Sequence, residues 1–298
     1  MAVCERDGAS IHYQDSGANG MPVLLVHGGL HDLMEAERFW VTPGVAGAVA
    51  AAGYRVLLAD RRWAGGATSA PLTTHTWQLE AADLAAVLRH ASAWPALVVA
   101  GSNGCPAAAR LALDDAALVA GLVLCWPVAG QALAHDRLAA GFERSAAFLA
   151  TSGTQAYLEE LRLRGVPRGN EGQPGLAFGA ALLRDARARD SFLKLDGAQA
   201  ARLVRESARA LLGGETLRGV SDSELRGLRA TGLAVRVVAP ATDDLEHAVA
   251  IAEHAAALAG AEPPGTGFPV TPVARFEAAR EGFTAELLAL LGALGQAR

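Results

Sequence analysis

Residues 96–106 read Ala96-Leu97-Val98-Val99-Ala100-Gly101-Ser102-Asn103-Gly104-Cys105-Pro106, and the order of residue types in this stretch decides the fold. The run up to Ala100 is continuously apolar, of strand length, and bounded by glycine, as expected of a strand buried on both faces. Gly101 to Gly104 then supply a tight turn. Pro106 suits the first turn of a following helix, where its missing N–H leaves nothing unsatisfied. Strand, sharp turn and helix in that order match a turn that holds one side chain at its tip, with small residues required two before and two after the tip. With Ser102 at the tip, those positions are Ala100 and Gly104. With Asn103 at the tip they are Gly101 and Cys105, and the serine is withdrawn; Gly104 meets the demand for a small residue better than Cys105, which favours Ser102. A glycine-rich turn without chemistry is the plainer alternative.

Outward from this turn, short apolar runs alternate with Ala- and Leu-rich stretches of helical period, the pattern of a mostly parallel sheet covered by helices on both faces. Residues 9–13 read as an extended hairpin arm between Gly8 and Gly17. Residues 22–26 and 54–59 are strands, the first ending in His27-Gly28-Gly29 and the second at Asp60. A helix is expected over 76–90, another over about 106–113, and a further strand over 121–125 that closes at Trp126-Pro127. From about 128 to 230 strand signals vanish, and Ala, Leu, Arg and Glu dominate between Gly/Pro-rich interruptions, which reads as a helical cap. Strand character returns at 233–239, followed by Asp243, Asp244 and a helix over 246–259. A last helix is expected near 275–294. The organisation is therefore a core (1–127), an inserted cap (128–230) and a second part of the core (231–298).

Bulk properties bound the function. Apolar residues make up 51% of the 298-residue chain and charged residues 19%, so a large interior can be buried and a disordered composition is excluded. The net charge is −5 and no basic run stands out, which argues against nucleic acid as a partner. The opening MAVCERDGAS carries charge where a secretory leader needs an apolar stretch, and no apolar segment is long enough to span a bilayer; a cytoplasmic location and no membrane partner are expected. Cys4, Cys105 and Cys125 are odd in number and lack metal-ligand spacing, so reduced thiols and no metal site are expected. The turn after residue 100 matches neither dinucleotide nor phosphate-loop glycine patterns, and no cofactor is indicated.

Four motifs in this order, "RDGASIHYQDSG", "PVLLVHGGLHD", "VLLADRRWAGGATSAP" and "LVVAGSNGC", resemble the α/β-hydrolase family, and the resemblance covers nearly the whole chain apart from the cap. It implies an α/β-hydrolase fold with Ser102 as nucleophile on the elbow, backbone N–H donors at Gly29 and Asn103 forming an oxyanion hole, and a triad acid after the strand ending at Ala239. Asp243 and Asp244 compete for the acid; Asp244 is preferred by its spacing to the helix that follows, while a helix N-cap explains one of the two equally well. Trp126 is placed as a candidate lining residue of the substrate pocket, with core packing as the competing reading.

The family pattern is broken in one place. Its histidine is expected on the loop after the last strand, but that segment reads Pro264-Gly265-Thr266-Gly267-Phe268-Pro269, with Gly267 where the imidazole should stand and no histidine beyond residue 254. A serine hydroxyl without a base is a poor nucleophile. His31, on the loop bordering the pocket, is the first candidate to replace it; His247, just behind the acid, is the second. Cys105 and Cys125 are discounted as nucleophiles, one inside the turn and one at the end of a buried strand. The expected function is action on a small, largely apolar organic substrate, ester or acyl hydrolysis with a non-standard or incomplete triad. The alternatives are a non-hydrolytic, cofactor-free lyase, cyclase or isomerase, or a protein that only binds a ligand.

Overall fold

The alternation of apolar runs with helical stretches builds one sheet. The computed structural model describes residues 1–31, 34–63, 67–130, 133–165, 177–240, 246–263 and 280–296. Strands β1 (Ala2–Arg6), β2 (Ala9–Asp15), β3 (Pro22–Val26), β4 (Arg55–Ala59), β5 (Ala96–Gly101), β6 (Val119–Cys125) and β7 (Val235–Val238) form a seven-stranded sheet in the order β1-β2-β4-β3-β5-β6-β7. The first two are a hairpin that pairs antiparallel with β4, and every later pairing is parallel. Asp7 (φ 46°) and Gly8 (φ 74°) close the hairpin; two adjacent positive φ values are what a two-residue turn matched to strand twist requires.

Ten α-helices are described: α1 (Val45–Ala51), α2 (Trp77–His90), α3 (Cys105–Asp114), α4 (Leu133–Arg164), α5 (Gly179–Arg184), α6 (Ala186–Leu193), α7 (Gly197–Leu212), α8 (Asp222–Ala230), α9 (Val249–Ala259) and α10 (Arg280–Gln296). Strands β3 to β6 are buried on both faces, and their two-residue period sends alternate side chains to two separate cores. Leu24, Val26, Val98, Ala100, Leu122 and Leu124 join the cluster under α2, α3 and α9. Val23, Leu25, Leu97, Val99 and Val123 join Trp40, Val49, Phe283 and Leu287 on the side of α1 and α10. Continuous apolar strands were therefore the correct signature of a sheet covered on both sides.

Helices α4 to α7 lie between β6 and β7 in sequence. The long α4 is broken at Gly153 (φ 79°, ψ 175°) and packs along α7. The inserted helices bond to residues 69–77 of the core and, through Arg187, to Gly8 O of the β1–β2 hairpin at 2.6 Å. Asp185 accepts from Ser69 Oγ and Ala70 N at 2.8 Å, Ser191 Oγ accepts from Leu72 N at 2.8 Å, and Ser207 Oγ accepts from His75 N at 2.9 Å. Trp77 Nε1 donates to Leu211 O at 3.0 Å. The boundary drawn at residue 230 needs correction. Helix α8 packs on α3 and α9, and its Glu224 pairs with Arg110 of α3 at 2.6 Å, so the chain has rejoined the core before residue 222. Its Ala/Leu/Arg/Glu composition is that of any amphipathic helix, which is why composition alone assigned it to the insertion.

No described helix is long and apolar enough to cross a membrane.

Candidate active site

Strand β5 ends at Gly101 in extended conformation (φ −114°, ψ 139°), and the chain then reverses into a short 3-10 turn, Ser102–Gly104, that runs directly into α3. Ser102 carries the positive φ, 53°, while Asn103 does not. Of the two contested positions, Ser102 is the one in the left-handed region, a conformation costly for a residue with a Cβ and tolerated where the surroundings over-determine it. Those surroundings are close. A Cβ on Gly104 would stand 2.7 Å from His27 O and 2.8 Å from Val26 O, and one on Gly101 would stand 2.6 Å from a ring carbon of Phe39. Phe39 comes from a single π-helical turn, Glu37–Val41. Gly28 lies against the serine itself, since a Cβ there would meet Ser102 Cβ at 3.0 Å.

The imidazole that reaches the serine is His247. Its Nε2 lies 2.9 Å from Ser102 Oγ, and both residues are buried. His247 follows β7 and precedes α9, so the strand that brings it in is the neighbour of β6, itself the neighbour of β5. His31, the first candidate, is corrected: its Nε2 is engaged by His75 Nδ1 at 2.8 Å, and its ring stacks on Phe178 with centroids 4.1 Å apart. Asp243, Asp244 and the segment containing Gly267 lie outside the described residues.

Trp126 is also reassigned. It is fully buried and packs on Phe283 of α10 with ring centroids 5.0 Å apart, in the core cluster on the α1/α10 side of the sheet. The competing reading of core packing is what the geometry gives it. Cys105 and Cys125 are fully buried free thiols, and burial pushes both thiol pKa values up. Neither has the exposed, electropositive setting of a reactive thiolate.

Two buried arginines escaped the sequence reading. Arg218 has no exposed surface; its Nη1 donates to Asn103 Oδ1 at 3.1 Å, and its Nη2 lies 3.9 Å from Glu246 Oε1, the residue before His247. It therefore bridges the residue after Ser102 and the loop carrying the imidazole. Arg61 sits behind the His27-Gly28-Gly29 turn. It donates through Nε and Nη2 to Glu80 at 2.5 and 2.9 Å, and through Nη1 to the carbonyls of His27, Gly28 and Gly29 at 2.9, 3.2 and 3.0 Å. Glu80 also meets His75 Nε2 at 2.5 Å. Burial alone would raise the Glu80 pKa, but Arg61 and then His75 outweigh it and hold the carboxylate ionised. A run of "ADRRW" after a strand signals charge but not that both arginines turn inward, Arg61 to Glu80 and Arg62 to Asp83.

His27 illustrates the same enclosure. Its Nε2 accepts from Arg61 N at 3.0 Å, so Nδ1 carries the proton and donates to Gly28 O at 2.7 Å. Burial first, and the Arg61 charge second, lower its pKa to about 4. His27 is a neutral structural residue of the turn. Among the described residues no group of three His, Cys, Asp or Glu side chains is arranged to hold a metal ion.

A family model described as alpha/beta hydrolase fold matches residues 21–213. The chain belongs to the α/β-hydrolase-fold family. Similar solved structures include the enol-lactonase from Burkholderia xenovorans LB400 (18% identity, TM-score 0.60, covering 98% of this chain and 100% of that one). A structure from a study of carboxylesterases of the thaumarchaeon Nitrososphaera gargenis is 17% identical, with a TM-score of 0.62 and 99% of each chain covered. An esterase from Exiguobacterium antarcticum is 19% identical, with a TM-score of 0.62, covering 97% of this chain and 98% of that one. At these identities the likeness is one of fold. No curated protein sequence matches the chain.

Proposed function

We propose that this protein hydrolyses esters or related acyl compounds of small, largely apolar organic molecules, with Ser102 as nucleophile and His247 as general base. The observation that carries the reading is the 2.9 Å contact between Ser102 Oγ and His247 Nε2 at a positive-φ elbow. That distance is within the reach a base needs to take a hydroxyl proton. His247 Nε2 accepts the Oγ proton as Oγ bonds to the acyl carbon. The carbonyl electron pair moves to oxygen, facing the N–H groups of Asn103 and Gly29. Collapse expels the alcohol, which takes the proton from His247, and water repeats the sequence to release the acid. Asp244 is carried forward as the carboxylate that orients His247, and the α4–α7 insertion as a cap over the substrate. Similarity of fold to enzymes named as esterases and an enol-lactonase supports the reaction class.

The test exposes purified protein to p-nitrophenyl acetate and butyrate and to a fluorophosphonate probe, with Ser102→Ala, His247→Gln and Asp244→Asn alongside. Wild type turns over ester and is labelled at Ser102. Ser102→Ala loses both, and His247→Gln lowers kcat by at least about 10³-fold, as removal of a triad histidine does. Wild type that neither turns over nor labels removes the covalent mechanism and leaves a non-hydrolytic enzyme or a ligand-binding protein.

A further inference from the structure

The family reading accounts for the elbow and its base but not for the buried chain behind the oxyanion loop. Arg61, Glu80, His75 and His31 are 4%, 1%, 1% and 7% exposed, and they form one unbroken hydrogen-bonded series. Glu80 is its centre. On one side it takes the Nε and Nη2 donors of Arg61, whose Nη1 is left to contact three successive carbonyls of the loop root. On the other side it accepts from His75 Nε2, which leaves His75 Nδ1 as an acceptor for His31 Nε2 at the far end of the same loop. A single carboxylate in the first turn of α2 thus fixes both ends of residues 27–31.

The consequence is directional. In a planar trans peptide the N–H points opposite to the preceding C=O. With Gly28 O drawn to Arg61, the N–H of Gly29 must point away from Arg61. Gly28 also abuts Ser102 Cβ. Arg61 Nη1 at 3.2 Å and His27 Nδ1 at 2.7 Å share Gly28 O, and together they set the aim of the one oxyanion donor that does not belong to the elbow.

We propose that Arg61, held by Glu80, is a positioning residue for the Gly29 oxyanion donor, and that the His75–His31 pair secures the other end of the loop. The inference rests on the serine-hydrolase reading of the site. It predicts that loss of the clamp acts on the transition state and spares ground-state binding, because a misaimed donor matters only once charge develops on the oxygen.

The experiment compares wild type with Arg61→Lys, Glu80→Gln and the paired Arg61→Met/Glu80→Gln, all checked for folding by thermal melting. The paired variant removes both buried charges together, so it avoids the unpaired charge that can unfold either single variant. Readouts are kcat and KM for p-nitrophenyl butyrate, the rate of fluorophosphonate labelling, and the inhibition constant of phenylboronic acid, whose serine adduct is a tetrahedral anion. The expected result is a kcat lower by about 10- to 100-fold, short of the roughly 10²- to 10³-fold cost of deleting a donor outright. KM stays within about threefold, and boronate affinity falls in step with kcat. Folded variants with wild-type kcat and boronate affinity overturn the inference while Ser102 labelling in wild type leaves the hydrolase reading intact. Wild type without labelling or turnover overturns both. On unaltered protein, the ¹⁵N shifts of selectively labelled histidine should show neutral Nε2–H tautomers for His31 and His75; a different tautomer at either breaks the series and overturns the inference.

Discussion

Replacing Gly104 with alanine tests the elbow where it is tightest. The added methyl would lie 2.7 and 2.8 Å from the carbonyl oxygens of His27 and Val26. Real Cβ atoms essentially never come within 3.0 Å of such groups. Neither oxygen belongs to a flexible side chain: Val26 ends β3 in the middle of the sheet, and His27 O is held by Arg61 Nη1 at 2.9 Å. The start of α3 must therefore move outward by roughly half an ångström. Overpacking of this kind costs about 1–3 kcal/mol. At about 2 cal/mol/K of unfolding entropy per residue over 298 residues, that lowers Tm by about 2–5 °C. The larger effect falls on activity, because Asn103 N–H and Ser102 Oγ ride on the displaced segment, and a misplaced oxyanion donor costs at least about tenfold in kcat. Differential scanning fluorimetry and p-nitrophenyl butyrate turnover measure both on one preparation. A Gly104→Ala protein with wild-type Tm and wild-type kcat would show that the turn has room to spare and that the packing argument is wrong.

Acid should destabilise the fold through its buried imidazoles. Burial holds His27, His31 and His75 below the ordinary histidine value, His27 to about 4 from 6.5. The unfolded chain then binds protons first as pH falls, so the stability is fully present above about pH 6.5 and is lost progressively towards pH 4. His27 alone accounts for about 3 kcal/mol of that loss. Melting temperature should drop steadily over this window, and a flat profile would refute the assignment of neutral, enclosed histidines. The cysteines give a second check. Cys4, Cys105 and Cys125 are buried with raised thiol pKa values, so Ellman's reagent should react slowly with native protein and with three thiols per chain in guanidinium; rapid native reaction of Cys105 would contradict its place inside the elbow.

The fold was legible because burial on both faces leaves a one-dimensional trace. The runs 22–26, 96–100 and 121–125 are apolar at every position, and each became a strand of the parallel sheet, with β6 starting two residues earlier than read. The helix expected over 76–90 is α2, capped by Thr76, whose side chain accepts from Leu79 N. The elbow was legible for a related reason: small residues around Ser102 answer to contacts with β3 and Phe39 that any sequence folding this way must avoid filling. Trp126 was not, since an aromatic at a strand end packs as well into a core as beside a ligand, and only the position of α10 against the sheet decides between them.

The contact of His247 with Ser102 was the least legible feature of the sequence, and the reason is geometric. Sequence distance ranks His31 and His247 by the loops they occupy, but reach to Ser102 depends on which strand neighbours which. With β7 next to β6 and β6 next to β5, the segment leaving β7 arrives beside the elbow within nine residues of Val238. An imidazole there needs no long final loop to carry it, so a glycine at 267 still leaves an imidazole 2.9 Å from Ser102 Oγ. His31 is sequestered for the complementary reason. His75 Nδ1 engages its Nε2 and Phe178 packs on its ring, and the charge that orders His75 comes from Glu80, forty-nine residues along the chain from His31. The contact of His247 with Ser102 therefore depends on strand order, and the anchoring of residues 27–31 on a buried carboxylate, and neither is a property of any local motif.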